Sequence, residues 1–363
     1  MFRRLFKDFR FSVLPVPGRL IAIVFFVALF ILPLITNKDY YLFVVAMSNI
    51  LVIFAVSWDL LSGYSGQVNF GHALFFGVSA YTVGLLTKYP VFGVHLQPWA
   101  TVPIGALVAT GVGVATCFPA LRLRGPYLSL LTMAFPLMLM GLVMAFKGFT
   151  GGEEGIPNIL PLAATYTARY YIVLIVMTAA VLIMWKLTDA GSKYVRTGLL
   201  FHAIREDEIA ARASGINTIR YKVLAFAIGG FFCGLAGALY VHMLGTASVS
   251  YLSMVMSFQA IIFVVFGGIV SIYGSVIGVY ALYTLLQFLG TGTGGSTFIG
   301  RYQLLIMAVI VMLVLLFMPE GVGVWIRDKL EQECPRCKLT NGFWRRSCRA
   351  CSASLSQVAG SKS

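Results

Sequence analysis

The stretch GSKYVRTGLLFHAIREDEIAARASGINTIRYK, from Gly191 to Lys222, is the only long polar interruption deep inside an otherwise apolar chain. It therefore decides how the chain divides between membrane and water. Leu199 to Ser214 has helical spacing: Leu199, Ala203, Ile204, Ile209, Ala210 and Ala213 make a narrow apolar stripe, and Arg205, Glu206, Asp207, Glu208 and Arg212 fill the other face. Gly215 supplies a C-terminal stop, and Asn217 can start the next helix. Taken alone, this pattern describes a solvated amphipathic helix on a loop between two membrane spans.

The whole sequence is 59% hydrophobic and 11% charged, with a mean hydropathy of +0.88. Such a composition excludes a soluble globular protein; 363 residues leave room for many membrane helices in place of several domains. The apolar runs predict ten spans: Leu20–Ile35, Tyr41–Leu61, Ala73–Thr87, Pro98–Leu121, Tyr127–Phe146, Arg169–Leu187, Tyr221–His242, Tyr251–Val270, Val276–Leu289 and Tyr302–Met318. Several fall short of the roughly 20 residues that a full crossing needs. An even number starting inside puts Met1–Arg19, Arg122–Gly125, Gly191–Lys222 and the tail from Pro319 on one side, with the turns at Gly63–His72 and Ser271–Ser275. Together with Lys186, those segments hold 22 of the 27 Lys and Arg residues; Lys38, Lys88, Lys147, Arg169 and Arg301 are left for the other side. The net charge of +14 is thus accounted for by the positive-inside bias, with both termini cytoplasmic, and calls for no nucleic acid. Arg3, Arg4, Lys7 and Arg10 precede the first apolar run, but no small-residue cleavage pattern follows Ile35. A retained first helix is the better reading than a removed signal peptide.

Two Gly-rich stretches interrupt the spans: Gly63-Tyr-Ser-Gly-Gln-Val-Asn-Phe-Gly-His72 and Gly267-Gly-Ile-Val-Ser-Ile-Tyr-Gly-Ser-Val-Ile-Gly278. Broken backbone at membrane depth is tolerated only where protein or a water-filled cavity surrounds it. Close helix packing by small residues explains such stretches, and so does a translocation path, which short Gly-interrupted segments often mark. On the second reading Gly63, Gly66, Gln67, Asn69, Gly71 and His72 border the path. A lone histidine such as His72 is more often a packed, hydrogen-bonded residue than a ligand.

Gly63 to Tyr81 closely resembles the G-Y-x-G-Q-x-x-x-G-H-x-x-F-F-G-x-x-A-Y signature of the LivM-like and LivH-like permeases of branched-chain amino acid ABC importers. Leu121-Arg-Leu-Arg-Gly-Pro-Tyr-Leu128 is similar to that family's L-R-L-x-G-x-Y-x segment, Thr150-Gly-Gly-Glu-Glu-Gly-Ile156 to its external T-G-G-x-x-G-I loop, and Phe266–Gly278 to its G-G-x-G-S-x-x-G-x-x-x-G. The last match departs from the pattern at Ile269, Val270 and Tyr273. The segment AIREDEIAARASGIN followed by RYKVLAFAIGG resembles the cytoplasmic coupling helix of the LivM-like subunit. The resemblance runs from about Tyr40 to Gly323. It implies an all-α polytopic membrane protein of about ten transmembrane helices in two inverted halves, with Ala203, Arg205, Glu206, Asp207, Glu208, Ala211 and Gly215 contacting an ATPase. It further implies a second, LivH-like permease subunit, two ABC ATPase subunits, an extracytoplasmic solute-binding protein, and a prokaryotic plasma (inner) membrane. Branched-chain amino acids lead the implied substrates, followed by other amino acids, urea or short amides.

No G-x-x-x-x-G-K-[ST] occurs, so no nucleotide is expected on this chain and ATP falls to a partner. Asp59 is the sole carboxylate between Tyr40 and Gly152, and none lies between Tyr221 and Met318. An ion-coupled carrier keeps ionisable groups at mid-membrane, which argues against that class. Gln67, Asn69, His72, Gln259 and Gln287 remain as neutral polar groups, and no arrangement for enzymatic catalysis is recognisable. The competing reading is an ATP-independent channel or facilitator for small amides or amino acids, supported by the pore-like Gly-rich stretches and opposed by the charged loop helix.

The tail carries Cys334, Cys337, Cys348 and Cys351 as C-x2-C-x10-C-x2-C. Two such pairs suit tetrahedral Zn2+ in a small four-cysteine zinc ribbon, with a structural role; two disulfides, or unpaired thiols in a disordered tail, are the alternatives. Cys117 and Cys233 lie alone in apolar runs as inert core residues. The expected division is a cytoplasmic N-terminal segment 1–19, a transmembrane permease domain 20–319 containing the loop 191–222, and a cytoplasmic tail 320–363 with the ribbon at 334–351.

Overall fold

In hydrocarbon every backbone N–H and C=O must find its partner within the chain, so each apolar run closes into a helix. The computed structural model describes residues 17–36, 38–89, 96–121, 123, 126–189, 196–284, 286–288, 302–334, 340–348, 351 and 354. The apolar helices are α1 (Pro17–Ile35), α2 (Asp39–Trp58), α3 (Ala73–Lys88), α4 (Pro98–Ala120), α5 (Pro126–Ala145) and α6 (Tyr166–Thr188). Two short helices, α7 (Thr197–Glu206) and α8 (Glu208–Ala213), lead into α9 (Thr218–Leu244), followed by α10 (Met254–Gly267), α11 (Ile272–Val279), α12 (Gln303–Phe317) and α13 (Val322–Leu330). Local chemistry sets their ends. The Thr165 side chain caps α6 and Asn217 caps α9, while Ser253 and Ser271 cap α10 and α11. Pro98 opens α4, where its missing N–H costs nothing.

Helix α2 is the centre of the bundle. From Val44 to Trp58 each of its residues is buried, and it packs against α6, α9, α10 and α11. The tightest crossing joins α9 to α4, where Gly230 and Gly234 approach the backbone of Ala109 and Ala106. Small residues permit this approach, and dispersion between closely packed backbones replaces the hydrophobic drive that lipid lacks. At one end of the bundle an isolated bridge between Ile156 and Ala247 ties the Gly151–Gly155 loop to the C-terminus of α9, and His242 bonds Thr101 through Nε2 (2.9 Å) and the Leu160 carbonyl through Nδ1 (2.6 Å).

Five described helices are long and apolar enough to cross a membrane alone; two bent pairs raise that to seven, and α1 and α3 are shorter apolar helices. Two of the expected ten spans, Tyr251–Val270 and Val276–Leu289, meet at a sharp bend. These form one pair bent by 113°, Met254–Gly267 with Ile272–Phe288. The physical reason lies in the break: Gly268 (φ 113°) and Val270 (φ 63°) reverse the chain, and the 14 residues of α10 reach only about 21 Å against a hydrocarbon core of about 30 Å. A π-helical turn follows α2 at Asp59–Tyr64, and another follows α11 at Tyr280–Thr284.

Candidate functional site

The polar loop is built differently from the single helix expected over Leu199–Ser214. Asp207 is extended (φ −152°, ψ 107°) and separates α7 from α8; its carboxylate accepts the Ile209 amide at 2.8 Å and the Ala210 amide at 3.0 Å. The residue counted among the charges of one helix face is instead the N-cap of the second helix. The break also turns the apolar stripe. Phe201, Ile204 and Ala211 are buried, whereas Leu199 is 54% and Ile209 is 71% exposed. Gly215 ends α8 with φ 82°, and Asn217 starts α9 by accepting the Arg220 amide at 3.2 Å, both as expected.

Glu208 braces this loop against the bundle. Its Oε2 pairs with Lys222 Nζ at 2.8 Å, its Oε1 pairs with Arg212, and the Thr218 hydroxyl donates to Oε1 at 3.3 Å and accepts from Arg212 Nε at 2.9 Å. Burial pushes the Glu208 carboxyl up, but the hydrogen bond and charge of Lys222 and those of Arg212 outweigh it and hold the group below its ordinary value. Glu206 and Asp207 remain exposed, as does Arg205. Of the residues expected to contact an ATPase, Ala211 and Glu208 thus face the chain itself, and Arg205, Glu206 and Asp207 face outward, with Ala203 half-buried and Gly215 exposed. Residues 191–195 at the start of the loop lie outside the described residues. His202 is held below its usual value, chiefly by burial and then by the Arg205 charge.

The Gly63–His72 turn lies under this loop. The Tyr64 ring meets His202 edge-on with centroids 5.6 Å apart, and Gly66 packs against the backbone and Cβ of Arg205. Gly66 has φ 72°, so glycine is required there for conformation as well as space. Gly66 and Val68 are exposed and Gln67 half-exposed, while Asn69, Gly71 and His72 are enclosed. Asn69 organises the turn: its amide donates to the Ser62 hydroxyl (3.1 Å), its carbonyl accepts from Trp58 Nε1 (2.7 Å), and its Oδ1 accepts from the Gly71 amide (2.8 Å). Any side chain at Gly71 would overlap the Thr132 carbonyl of α5. His72 Nε2 shares a hydrogen bond with Ser57 Oγ at 2.9 Å, and Phe54 and Phe75 flank its ring.

The second Gly-rich stretch meets the same end of the bundle. Gly267 and Gly274 touch backbone to backbone across the break, with Gly321 of the α12–α13 connection and Gly323 of α13 packed onto it. A residue that sequence reasoning left without a role joins the two stretches. Asp59 is fully buried at the head of the π turn, and its oxygens accept the amides of Val270 (2.8 Å) and Ser271 (3.1 Å) and the hydroxyl of Ser275 (3.4 Å). Its isolation as a lone carboxylate in a long apolar stretch was the available signal.

In the tail, strands β1 (Glu331–Glu333) and β2 (Thr340–Gly342) pair antiparallel with Gln332 opposite Asn341. The hairpin brings Cys334, Cys348 and Cys351 together with their sulfurs within 4.8 Å of one another, a cluster able to hold a metal ion. Thiolates at about 2.3 Å from a tetrahedral ion stand about 3.8 Å apart, so the donor set fits. Cys337 lies outside the described residues.

The fold and loop define a polytopic membrane subunit that offers a braced polar loop and contains no nucleotide-binding motif of its own. The family described as branched-chain amino acid transport system / permease component matches residues 40–317, and the chain belongs to it: it is a multi-pass permease subunit of an ABC importer. It is 26% identical over 328 residues to the permease protein LivM of Escherichia coli K12, covering 82% of this chain and 72% of that one. It is 26% identical over 289 residues to BraD of Pseudomonas aeruginosa (74% and 90% covered), and 23% identical over 295 residues to LivH of Salmonella typhimurium (77% and 92%). No solved structure matches the chain.

Proposed function

We propose that this chain pairs with a second, LivH-like permease subunit, binds one of two ATPase subunits through the loop 196–217, and receives branched-chain amino acids from an extracytoplasmic binding protein. The membrane is the prokaryotic plasma membrane, with both termini cytoplasmic. The chain carries out no chemistry itself; hydrolysis belongs to the ATPases. The observation that carries this reading is the braced loop: two short helices locked to α9 by Glu208–Lys222, with Ile209, Glu206 and Asp207 turned outward. An exposed isoleucine ringed by charge is the composition of a desolvated docking contact. The relatives named above are called high-affinity branched-chain amino acid transport permeases, and this supports leucine, isoleucine and valine as solutes. The test is ATP-dependent uptake of radiolabelled leucine by the assembled importer in proteoliposomes. Ile209→Asp should abolish ATPase co-purification and uptake with the chain still inserted, and full uptake by that variant would end the reading.

We further propose that Gly63–His72 forms the inner mouth of the path, with Gln67 the side chain nearest the solute, Gly63 and Gly66 letting Asp59 and Arg205 pack against the turn, and Asn69, Gly71 and His72 holding its shape. The chain divides into the segment 1–19, the permease domain 20–319 and the tail 320–363, with residues 1–16 outside the described ones. Cys334, Cys348 and Cys351, with Cys337 as the fourth ligand, would hold one structural Zn2+, which supplies folding free energy to a tail with almost no apolar core.

A further inference from the structure

Asp59 has both oxygens engaged, yet none of its partners lies on its own helix. Two are main-chain amides, those of Val270 and Ser271, at the point where the chain reverses between α10 and α11. A carboxylate accepting amide hydrogen bonds makes charge-assisted contacts, stronger than those of a neutral acceptor. The segment it holds is conformationally demanding: Val270 sits at φ 63°, unusual for a β-branched residue, and Gly268 at φ 113°. Such backbone persists only when its surroundings over-determine it. The Ser271 hydroxyl caps α11 by accepting the Gly274 amide at 3.1 Å, so the first turn of α11 is fastened at one end to Asp59 and at the other to its own cap.

The opposite face of the same π turn touches the polar loop. Tyr64 meets His202, and Gly66 meets Arg205. One turn beyond Asp59, the absent side chain of Gly63 is the space its carboxylate fills. Asp59–Gly66 therefore has one face on the loop and the other on the α10–α11 break.

We propose that Asp59 is the positioning residue that transmits displacement of the coupling loop to the α10–α11 break, by holding the Val270 and Ser271 amides in register with the π turn. Coupling between sites requires a contiguous network ending in an element with two arrangements; the network here runs His202 and Arg205, Tyr64 and Gly66, Asp59, Val270 and Ser271, and the bent pair is the element. The inference rests on the coupling-loop reading proposed above.

The test uses the complete importer in nanodiscs and proteoliposomes, with ATP hydrolysis, radiolabelled leucine uptake and amide hydrogen exchange of the 268–275 peptide measured on the same preparations. Asp59→Asn keeps the shape but turns an amide NH2 toward a main-chain donor. ATPase co-purification and basal hydrolysis should stay within about twofold, while leucine moved per ATP falls by about tenfold, inside the usual range of coupling free energies. In the unmodified importer, exchange at 268–275 should differ between nucleotide-free and vanadate-trapped states, and Asp59→Asn should erase that difference. Ser275→Ala, which removes the longest of the three contacts, should lower the ratio by only about two- to threefold, the scale of one modest hydrogen bond. An unchanged leucine-to-ATP ratio in Asp59→Asn overturns the assignment, as does loss of the ATPase from that variant, which would make Asp59 part of the docking surface instead. Should Asp59→Asn fail to insert, exchange at 268–275 and Ser275→Ala decide: no nucleotide response, or no change in the ratio, refutes the proposal. Absence of the ATPase from the unmodified complex ends the coupling-loop reading and this one with it, whereas a bound ATPase with an unchanged ratio ends only the role of Asp59.

Discussion

Replacing Glu208 by Ala should loosen the polar loop without removing the chain from the membrane. The Lys222 ammonium is the reason. It lies 2.8 Å from Glu208 Oε2, its side chain is 9% exposed, and that of Glu208 is 23% exposed. Losing one partner of a fully buried pair costs about 3–5 kcal/mol because the other charge is left uncompensated, while an exposed pair is worth about 0–1 kcal/mol. This pair lies between those limits, with one nearly enclosed member and one partly wet, so we expect about 2 kcal/mol. At about 1.4 kcal/mol per factor of ten, that is about a 30-fold rise in the open population of the loop. Amide hydrogen exchange of peptides spanning 207–217, read in nanodiscs, measures the opening directly. Glu208→Gln should fall short of Ala, since its amide oxygen can still accept from Lys222. The pH dependence has a definite sign. The folded carboxyl is held below its unfolded value, so its contribution is complete above the ordinary carboxylate range and is lost as the pH falls through the lower folded value. Exchange that changes less than about threefold in Glu208→Ala at neutral pH would refute the idea that this pair braces the loop.

Asp207→Ala removes the cap of α8 and should cost about 1 kcal/mol, visible as faster exchange at Ile209 and Ala210 with α9 unaffected. Gly71→Val drives a side chain into the Thr132 carbonyl and should reduce the yield of folded chain in detergent, whereas Gly215→Ala, with open space around it, should cost only the strain of its positive φ, about 1 kcal/mol. A cysteine at Gln67 should react with a water-soluble thiol reagent to a nucleotide-dependent extent, while equal protection in all states would make the turn a packing element alone. Metal analysis of the purified chain should give about one zinc, and Cys334→Ser with Cys348→Ser should remove it and release the hairpin to proteolysis; a metal-free native chain would leave the cysteines as a hydrogen-bonded cluster only.

What the sequence determined by itself follows from composition and order. A mean hydropathy of +0.88, carried in continuous apolar runs approaching about 20 residues with one long polar interruption, dictates a helical membrane bundle and the position of its main loop, because runs of that length satisfy their backbone within themselves as helices. The Gly63–His72 and Gly267–Gly278 stretches were legible as interruptions for the same reason, and so were Gly215 and Asn217 as stop and start, since these depend on nearest neighbours alone. Tertiary structure decided everything that needed two distant segments at once. The bend of 113° between two expected spans is bridged by Asp59, 211 residues upstream of Val270. No helical periodicity carries such information. Whether Glu208 faces a partner or its own chain depends on where Lys222 lies, and Ala211 is buried only because α8 begins afresh at Asp207. Three cysteines became a metal-sized cluster once β1 and β2 paired. Spacing proposes which groups could meet; packing in a medium that gives no hydrogen bonds selects those that must.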